Sequence, residues 1–382
     1  MLDFTSALYL GIHHPSRSLK PWRQLTRGVP AALAEPPGAS EVARDLAELQ
    51  GCEQAVLMSS TLHLFMDLFG MLGRQPVTLY LDEGAYAIAS WGAERAAARG
   101  VAVHRFGHHE PDALLAQITG QAHSGKRPVV VADGFCPICG EPAPIRDYLE
   151  IVRRCGGLLV LDDTQALGIL GEKPRIEAPY GAGGGGMLCW SGVSGPDILV
   201  GASLAKGFGA PMAALAGSEL MLRRFTTSSD TRVHCSPPSV AVIHAAEHAL
   251  AVNQEHGNLL RQCLAQRVRQ FRDGLGWIGW SATGGLFPVQ TLRAIAGNDA
   301  VRMHQRLSRW GIGAVLSRPR SGGDPRLSFL ITARHSSTEI DRCLDALDGL
   351  ANGAKTSRRL QIAWRRLSAN RLPPKAAQPL RR

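Results

Sequence analysis

No stretch of the 382-residue chain approaches the roughly 20 uninterrupted apolar residues that a membrane-spanning helix needs. The opening Met1-Leu-Asp-Phe-Thr-Ser lacks the basic start and apolar run of a secretory signal, so the cytoplasm is the expected compartment. Eight cysteines are present but scattered, and only Cys136 and Cys139 lie close together. That excludes a disulfide framework and leaves reduced, packed thiols as the expectation. Acidic residues are missing from one region: residues 355–382 hold nine Lys or Arg and no Asp or Glu. Without that region the net charge of +10 falls to +1, with 33 basic against 32 acidic side chains. The basic character therefore belongs to the tail and gives no reason to expect nucleic acid on the folded body.

What remains is an ordinary soluble composition, 45% apolar and 19% charged, in a chain long enough for two packed domains. The expected division is an arm over 1–37, a large domain over 38–260, a small α+β domain over 261–354 and a basic tail over 355–382. Residues 1–40 are rich in Pro and turn formers and read as an arm with little core of its own. From Gly38, Ala39, Val42, Leu46 and Leu49 recur at helical spacing up to Gly51. Strands are expected at 54–58, 77–81, 101–104, 128–132 and 157–161, alternating with helices at 61–73, 84–99, 111–119 and 145–155. Uniformly apolar strands separated by helices indicate an α/β fold with a mostly parallel sheet covered on both faces. Ligands of such sheets sit beyond the carboxyl ends of the strands. Gly181 to Gly186 reads as a flexible solvent loop. Further on, a helix is expected over 239–254, strands at 286–290 and 327–331, and a closing helix over 337–350.

Two segments placed just after strands carry chemistry. In Ser203-Leu-Ala-Lys206-Gly-Phe-Gly, a single lysine sits in a stretch otherwise free of charge from Ile198 to Gly217. Burial of an ammonium among small and apolar residues lowers its pKa and makes the amine nucleophilic. The other segment, Val160-Leu-Asp162-Asp163-Thr-Gln165, ends an apolar strand on two carboxylates. Alone it could bind Mg²⁺ or cap a helix. Followed 44 residues later by Lys206, Asp162 suits a partner for a pyridine nitrogen, keeping that ring protonated as an electron sink.

Further segments fall into one familiar order: Gly51-Cys-Glu-Gln-Ala-Val-Leu-Met-Ser-Ser, Asp82-Glu-Gly-Ala-Tyr86, Gly140-Glu-Pro-Ala-Pro, Ser203-Leu-Ala-Lys206, Ala216-Gly-Ser, Pro237-Pro238, Thr332-Ala-Arg-His335 and Glu339-Ile-Asp-Arg342. In their order and spacing, over nearly the whole chain, they resemble the α-oxoamine synthases. That is the family of 8-amino-7-oxononanoate synthase and glycine C-acetyltransferase, within the fold-type I pyridoxal 5′-phosphate (PLP) enzymes. The resemblance implies PLP as a Schiff base on Lys206, Asp162 on its ring nitrogen, Tyr86 over the ring and Ala166 beneath. It implies a phosphate turn at Ser60, Thr61 and Leu62, helped by Ser203, and contact of Gln165 with the phenolic oxygen. Arg326 is implied for the substrate carboxylate. A homodimer is also implied, with the segment around His234 to Pro238 reaching the neighbour's phosphate.

Several positions depart from the family. His is usual where Tyr86 and Gln165 stand, and Pro137 replaces a Ser near the phenolic oxygen. Pro30-Ala-Ala-Leu-Ala-Glu-Pro-Pro-Gly-Ala replaces a glycine-rich segment at the substrate entrance. The expected activity is condensation of an amino acid with an acyl thioester, usually with loss of carbon dioxide. Transamination stays open, because an aromatic stacking residue is typical of aminotransferases, and a non-catalytic binding protein on the same fold is a third reading. Cys136-Pro-Ile-Cys139, without a partner pair in sequence, reads as packed thiols rather than a metal or redox site. In the tail, residues 356–372 can form a helix with Leu360, Ala363, Trp364 and Leu367 on one face and arginines around it. Such a helix suits an acidic protein surface, a membrane surface or a nucleic acid, with a solvated tail as the plain reading; among the functional ones an acidic acyl carrier protein that delivers the thioester in place of coenzyme A is favoured.

Overall fold

The computed structural model describes residues 1–121, 125–318 and 323–352; the expected tail helix over 356–372 lies outside the described residues. Seven strands form the main sheet: β1 (Gln54–Met58), β2 (Val77–Asp82), β3 (Ala102–Phe106), β4 (Arg127–Asp133), β5 (Leu158–Asp162), β6 (Ile198–Ser203) and β7 (Ala213–Gly217). Their order is β1-β7-β6-β5-β4-β2-β3, with β7 alone reversed against its neighbours. Every residue of β2 and β5 is buried, which is why both read as unbroken apolar runs. Strands β6 and β7 escaped the sequence pattern. Ala213, Ala214 and Ala216 of β7 have poor intrinsic strand preference, and the sheet around them selects the extended form; β6 opens on Ile198-Leu199-Val200, whose strand preference is strong.

Helices α1 (Ala39–Gln50), α2 (Thr61–Leu72), α3 (Ala87–Ala97), α4 (Pro111–Gly120) and α5 (Ile145–Arg154) alternate with these strands. One face of the sheet buries Leu79, Val131 and Leu215 with Leu64, Phe65 and Phe69 of α2. The other buries Val130, Leu161 and Ala214 with Leu46 of α1, Tyr148 of α5 and Ile243 of α6 (Val240–Trp277). Helix α6 runs 38 residues, well beyond the 239–254 expected from sequence. Its second half buries Arg261, which donates to Gly168 O and Asn253 Oδ1, both at 2.8 Å. A buried charge on the inner face hides the apolar stripe there.

A second sheet, antiparallel throughout, contains β8 (Ala282–Thr283), β9 (Val289–Ala296), β10 (Val315–Ser317) and β11 (Arg326–Leu330) in the order β8-β9-β11-β10. Helices α7 (Gly297–Arg309) and α8 (Ser337–Asn352) accompany it. The N-terminal residues join this region. Leu2 and Asp3 pair with Ile312 and Gly313, and Phe4 is buried and stacks on His335 at 4.4 Å. Tyr9 and Leu10 are each 1% exposed, so the arm's apolar residues complete the core of the body. Among the described residues, no helix is long and apolar enough to cross a membrane.

The glycine stretch is no loose solvent loop. Gly184, Gly185 and Gly186 are buried, and bridges Leu167 to Gly185 and Glu172 to Ala182 tie the segment to the chain that follows β5. Gly186 has φ 85°, and a Cβ there would lie 1.9 Å from Asp163 Oδ2. Only glycine meets both demands.

Candidate active site

Strands β1, β2, β4, β5 and β6 all end on the same edge of the sheet, and β7 begins there. The sheet register aligns Asp133, Asp162 and Gly201 across β4, β5 and β6. Asp162 is 5% exposed, and its Oδ1 accepts from Thr164 N at 3.0 Å. The Thr164 hydroxyl in turn accepts from Ser203 N at 2.9 Å. One threonine thus ties the segment after β5 to the one that leads to Lys206.

Lys206 lies in the short connection from β6 to β7 and is half-buried. Burial pushes its amine below the ordinary lysine value, while the charges of Asp162 and Asp133 act in the opposite sense. Its Nζ lies 5.8 Å from the centre of the Tyr86 ring. Tyr86 occupies the N-cap of α3, and its N–H donates to Asp133 Oδ1 at 2.8 Å. The structure therefore gathers Lys206, Tyr86, Asp162 and Asp133 at one place. Asp133 escaped sequence reasoning, although a carboxylate ending the apolar run of β4 is the same signal that singled out Asp162.

Ser60 is the N-cap of α2, accepting from His63 N at 3.4 Å. Thr61 and Leu62 follow as the first helical residues, whose N–H groups lack intrahelical partners by position. A helix of 12 residues starting there favours an anion. Ser203 Oγ faces Met212 O at 3.5 Å. Gln165 is held by the arm: Tyr9 donates to its Oε1 at 2.9 Å. Tyr9 is boxed by Phe287 at 5.6 Å, which stacks on Phe135 at 4.1 Å. Nothing in the sequence pattern linked residues 156 positions apart. Ala166, fully buried, follows Gln165.

His234 ends a short helix over Asp230–His234 and is exposed. Its segment reaches the phosphate turn through Ser59, which donates to Ser236 O at 2.9 Å. Arg326 opens β11 as an exposed guanidinium opposite Ser317. Asp163 points the other way from Asp162, into the core. It is fully buried, Met187 N donates to its Oδ2 at 3.0 Å, and its Oδ1 has no partner among the described residues. Burial pushes its carboxyl up to about 8.

The donor set fits PLP. A desolvated amine suits the aldehyde, and a buried carboxylate in line with it suits the ring nitrogen. A capped helix start suits the phosphate, and an aromatic ring lies beside the amine. Residues 31–347 match the family "Aminotransferase class I and II". The chain belongs to that family. Within it, the chain is 28% identical over 359 residues to 8-amino-7-oxononanoate synthase of Klebsiella pneumoniae strain 342, covering 91% of this chain and 89% of the relative. It is 30% identical over 260 residues to 8-amino-7-oxononanoate synthase of Thioalkalivibrio sulfidiphilus, covering 67% of this chain and 63% of the relative. In fold, this family member is similar to serine palmitoyltransferase from S. paucimobilis, solved with a bound PLP–myriocin aldimine. The TM-score is 0.79 at 18% identity, over 91% of this chain and 86% of that one. It is also similar to 8-amino-7-oxononanoate synthase from Francisella tularensis, at TM-score 0.69 and 16% identity, over 95% and 98%.

Proposed function

We propose that this enzyme condenses an amino acid with an acyl thioester, using PLP held on Lys206. The observation that carries the reading is Lys206 beside Tyr86 and the carboxylate row Asp162–Asp133, in a chain similar to 8-amino-7-oxononanoate synthases over nine-tenths of its length. When bound, PLP supplies a protonated ring that draws electron density from the substrate's Cα. Asp162 is the residue that holds that ring nitrogen protonated. Ser60, Thr61, Leu62 and Ser203 hold the phosphate. Tyr86 and Ala166 would bracket the ring. Gln165, its carbonyl engaged by Tyr9, would offer its amide N–H to the phenolic oxygen. Lys206 anchors the cofactor, and its lowered basicity lets it take and return the proton at Cα. Arg326 receives the substrate carboxylate through paired hydrogen bonds.

The same reading includes a homodimer in the cytoplasm. Leu62 and Met66 on α2, with Tyr86 and Trp91 at α3, are between 38% and 55% exposed on neighbouring helices, and His234 lies exposed near the phosphate turn. The eight cysteines are all free, as in a reducing compartment. A second reading, transamination, draws on Tyr86 as the aromatic ring neighbour. Thiol release separates the two. Acyl-coenzyme A incubated with the enzyme and a panel of amino acids should release free thiol only when the right amino acid is present. Amino-acid-dependent formation of an α-keto acid without thiol release would replace condensation by transamination. Sedimentation should give twice the chain mass.

A further inference from the structure

Cys139 of the Cys136–Cys139 pair, to which sequence alone gave no partner, faces two histidines in the folded chain. Residues 135–142 form a hairpin, with Phe135 paired to Pro142 and Cys136 to Glu141. At its tip the Cys139 thiol faces Cys136 O at 3.9 Å. Gly140, at φ 81°, takes the left-handed turn there.

Opposite the hairpin lies the turn after β3. His108 Nε2 stands 3.4 Å from Cys139 Sγ. One ligand atom each from His108, His109 and Cys139 lies within 4.8 Å of the others. In a tetrahedral zinc site, bonds of about 2.0 Å to nitrogen and about 2.3 Å to sulfur separate the two ligand atoms by roughly 3.5 Å. His108 is also oriented as a metal ligand is: its other nitrogen, Nδ1, donates to Asp82 Oδ1 at 2.7 Å. Asp82 is 1% exposed and is itself fixed by Gly84 N at 2.7 Å, His109 N at 3.1 Å and Tyr148 Oη at 3.1 Å.

We propose that His108, His109 and Cys139 form a zinc site, with Asp82 as the carboxylate that orients His108. Zinc there would pin the turn after β3 to the hairpin after β4, beside the edge that carries Asp133. Three protein ligands leave the fourth position of a tetrahedral zinc to water. On binding, the Cys139 thiol gives up its proton to solvent and forms a sulfur–zinc bond; nothing is oxidised.

The test uses the full-length, cofactor-loaded protein, reduced and reconstituted with zinc chloride, then freed of excess metal by gel filtration. Metal analysis should give about one zinc per chain, and His109→Ala/Cys139→Ser should retain less than about a tenth of that. Asp82→Asn should weaken zinc binding about 10- to 100-fold. Cobalt in place of zinc should give the visible bands of a tetrahedral sulfur–nitrogen site in the parent protein, a readout that holds even if a variant fails to fold. The proposal is overturned if the reduced protein keeps no zinc. It is equally overturned if the double variant, folded by circular dichroism, keeps as much, which would mark adventitious metal. A Cys136–Cys139 disulfide in protein isolated without reductant, with no zinc uptake after reduction, would also overturn it.

Discussion

Replacing Asp163 by Asn removes a buried carboxyl that the fold places between the sheet and the glycine segment. Its Oδ1 has no partner among the described residues, and burial raises the group from 3.8 to about 8. An acid with a raised folded pKa holds its proton in the folded chain after the unfolded chain has lost it. Stability is therefore full below the unfolded value and falls as pH rises toward the folded one. Each unit is worth about 1.4 kcal/mol, so relative to the acid limit the wild type should have lost about 3 kcal/mol by pH 6 and about 5 kcal/mol by pH 8. Asn accepts the Met187 N–H as Asp does but never ionises. Asp163→Asn should match the wild type near pH 4 and exceed it increasingly up to pH 8. Denaturant melts of both proteins at steps of pH measure the difference directly. A flat difference, or a variant that grows worse as pH rises, would show that Asp163 is ionised and paired in the folded chain, and the burial argument would fail.

Three further outcomes follow from the site. Asp162→Asn should keep PLP yet lose activity about 10²- to 10³-fold, the scale of removing one preorganised electrostatic stabiliser; near-normal turnover would move the ring partner elsewhere. Tyr9→Phe leaves Gln165 Oε1 unserved, which should cost about 1–3 kcal/mol in stability and weaken PLP affinity in a binding titration; no change in either would detach the arm from the site. Deleting 355–382 should leave PLP bound and raise KM for a carrier-bound thioester far more than for a coenzyme A thioester, an effect that salt diminishes; equal effects on both donors would remove the carrier reading.

The parts of the fold legible in sequence are those whose residues announce their own surroundings. Strands β2, β4 and β5 are rich in Val and Leu because both faces are covered, and Asp162 and Lys206 stand out as charges against that background. Strand β7 was not legible, since Gly and Ala carry no strand signal until neighbours impose it, whereas Ile198-Leu199-Val200 of β6 carried a signal that the pattern reading passed over. The far half of α6 was masked by the buried guanidinium of Arg261, which reads as surface in one dimension. Gln165 and Tyr9, or Cys139 and His108, meet only through tertiary closure, across 156 and 31 residues. No local pattern can foretell such pairs. The glycine segment misled for the opposite reason: a composition typical of loose loops here serves close packing around Asp163.

Product analysis tests the central claim most directly. The enzyme, loaded with PLP, is given an amino acid labelled at its carboxyl carbon together with an acyl-coenzyme A, and the products are identified by mass. Condensation on Lys206 predicts free coenzyme A, labelled carbon dioxide and an amino ketone that joins the remaining amino-acid carbons to the acyl chain, all absent with Lys206→Ala. Intact thioester alongside a labelled α-keto acid, or the same amino ketone from Lys206→Ala, would contradict it.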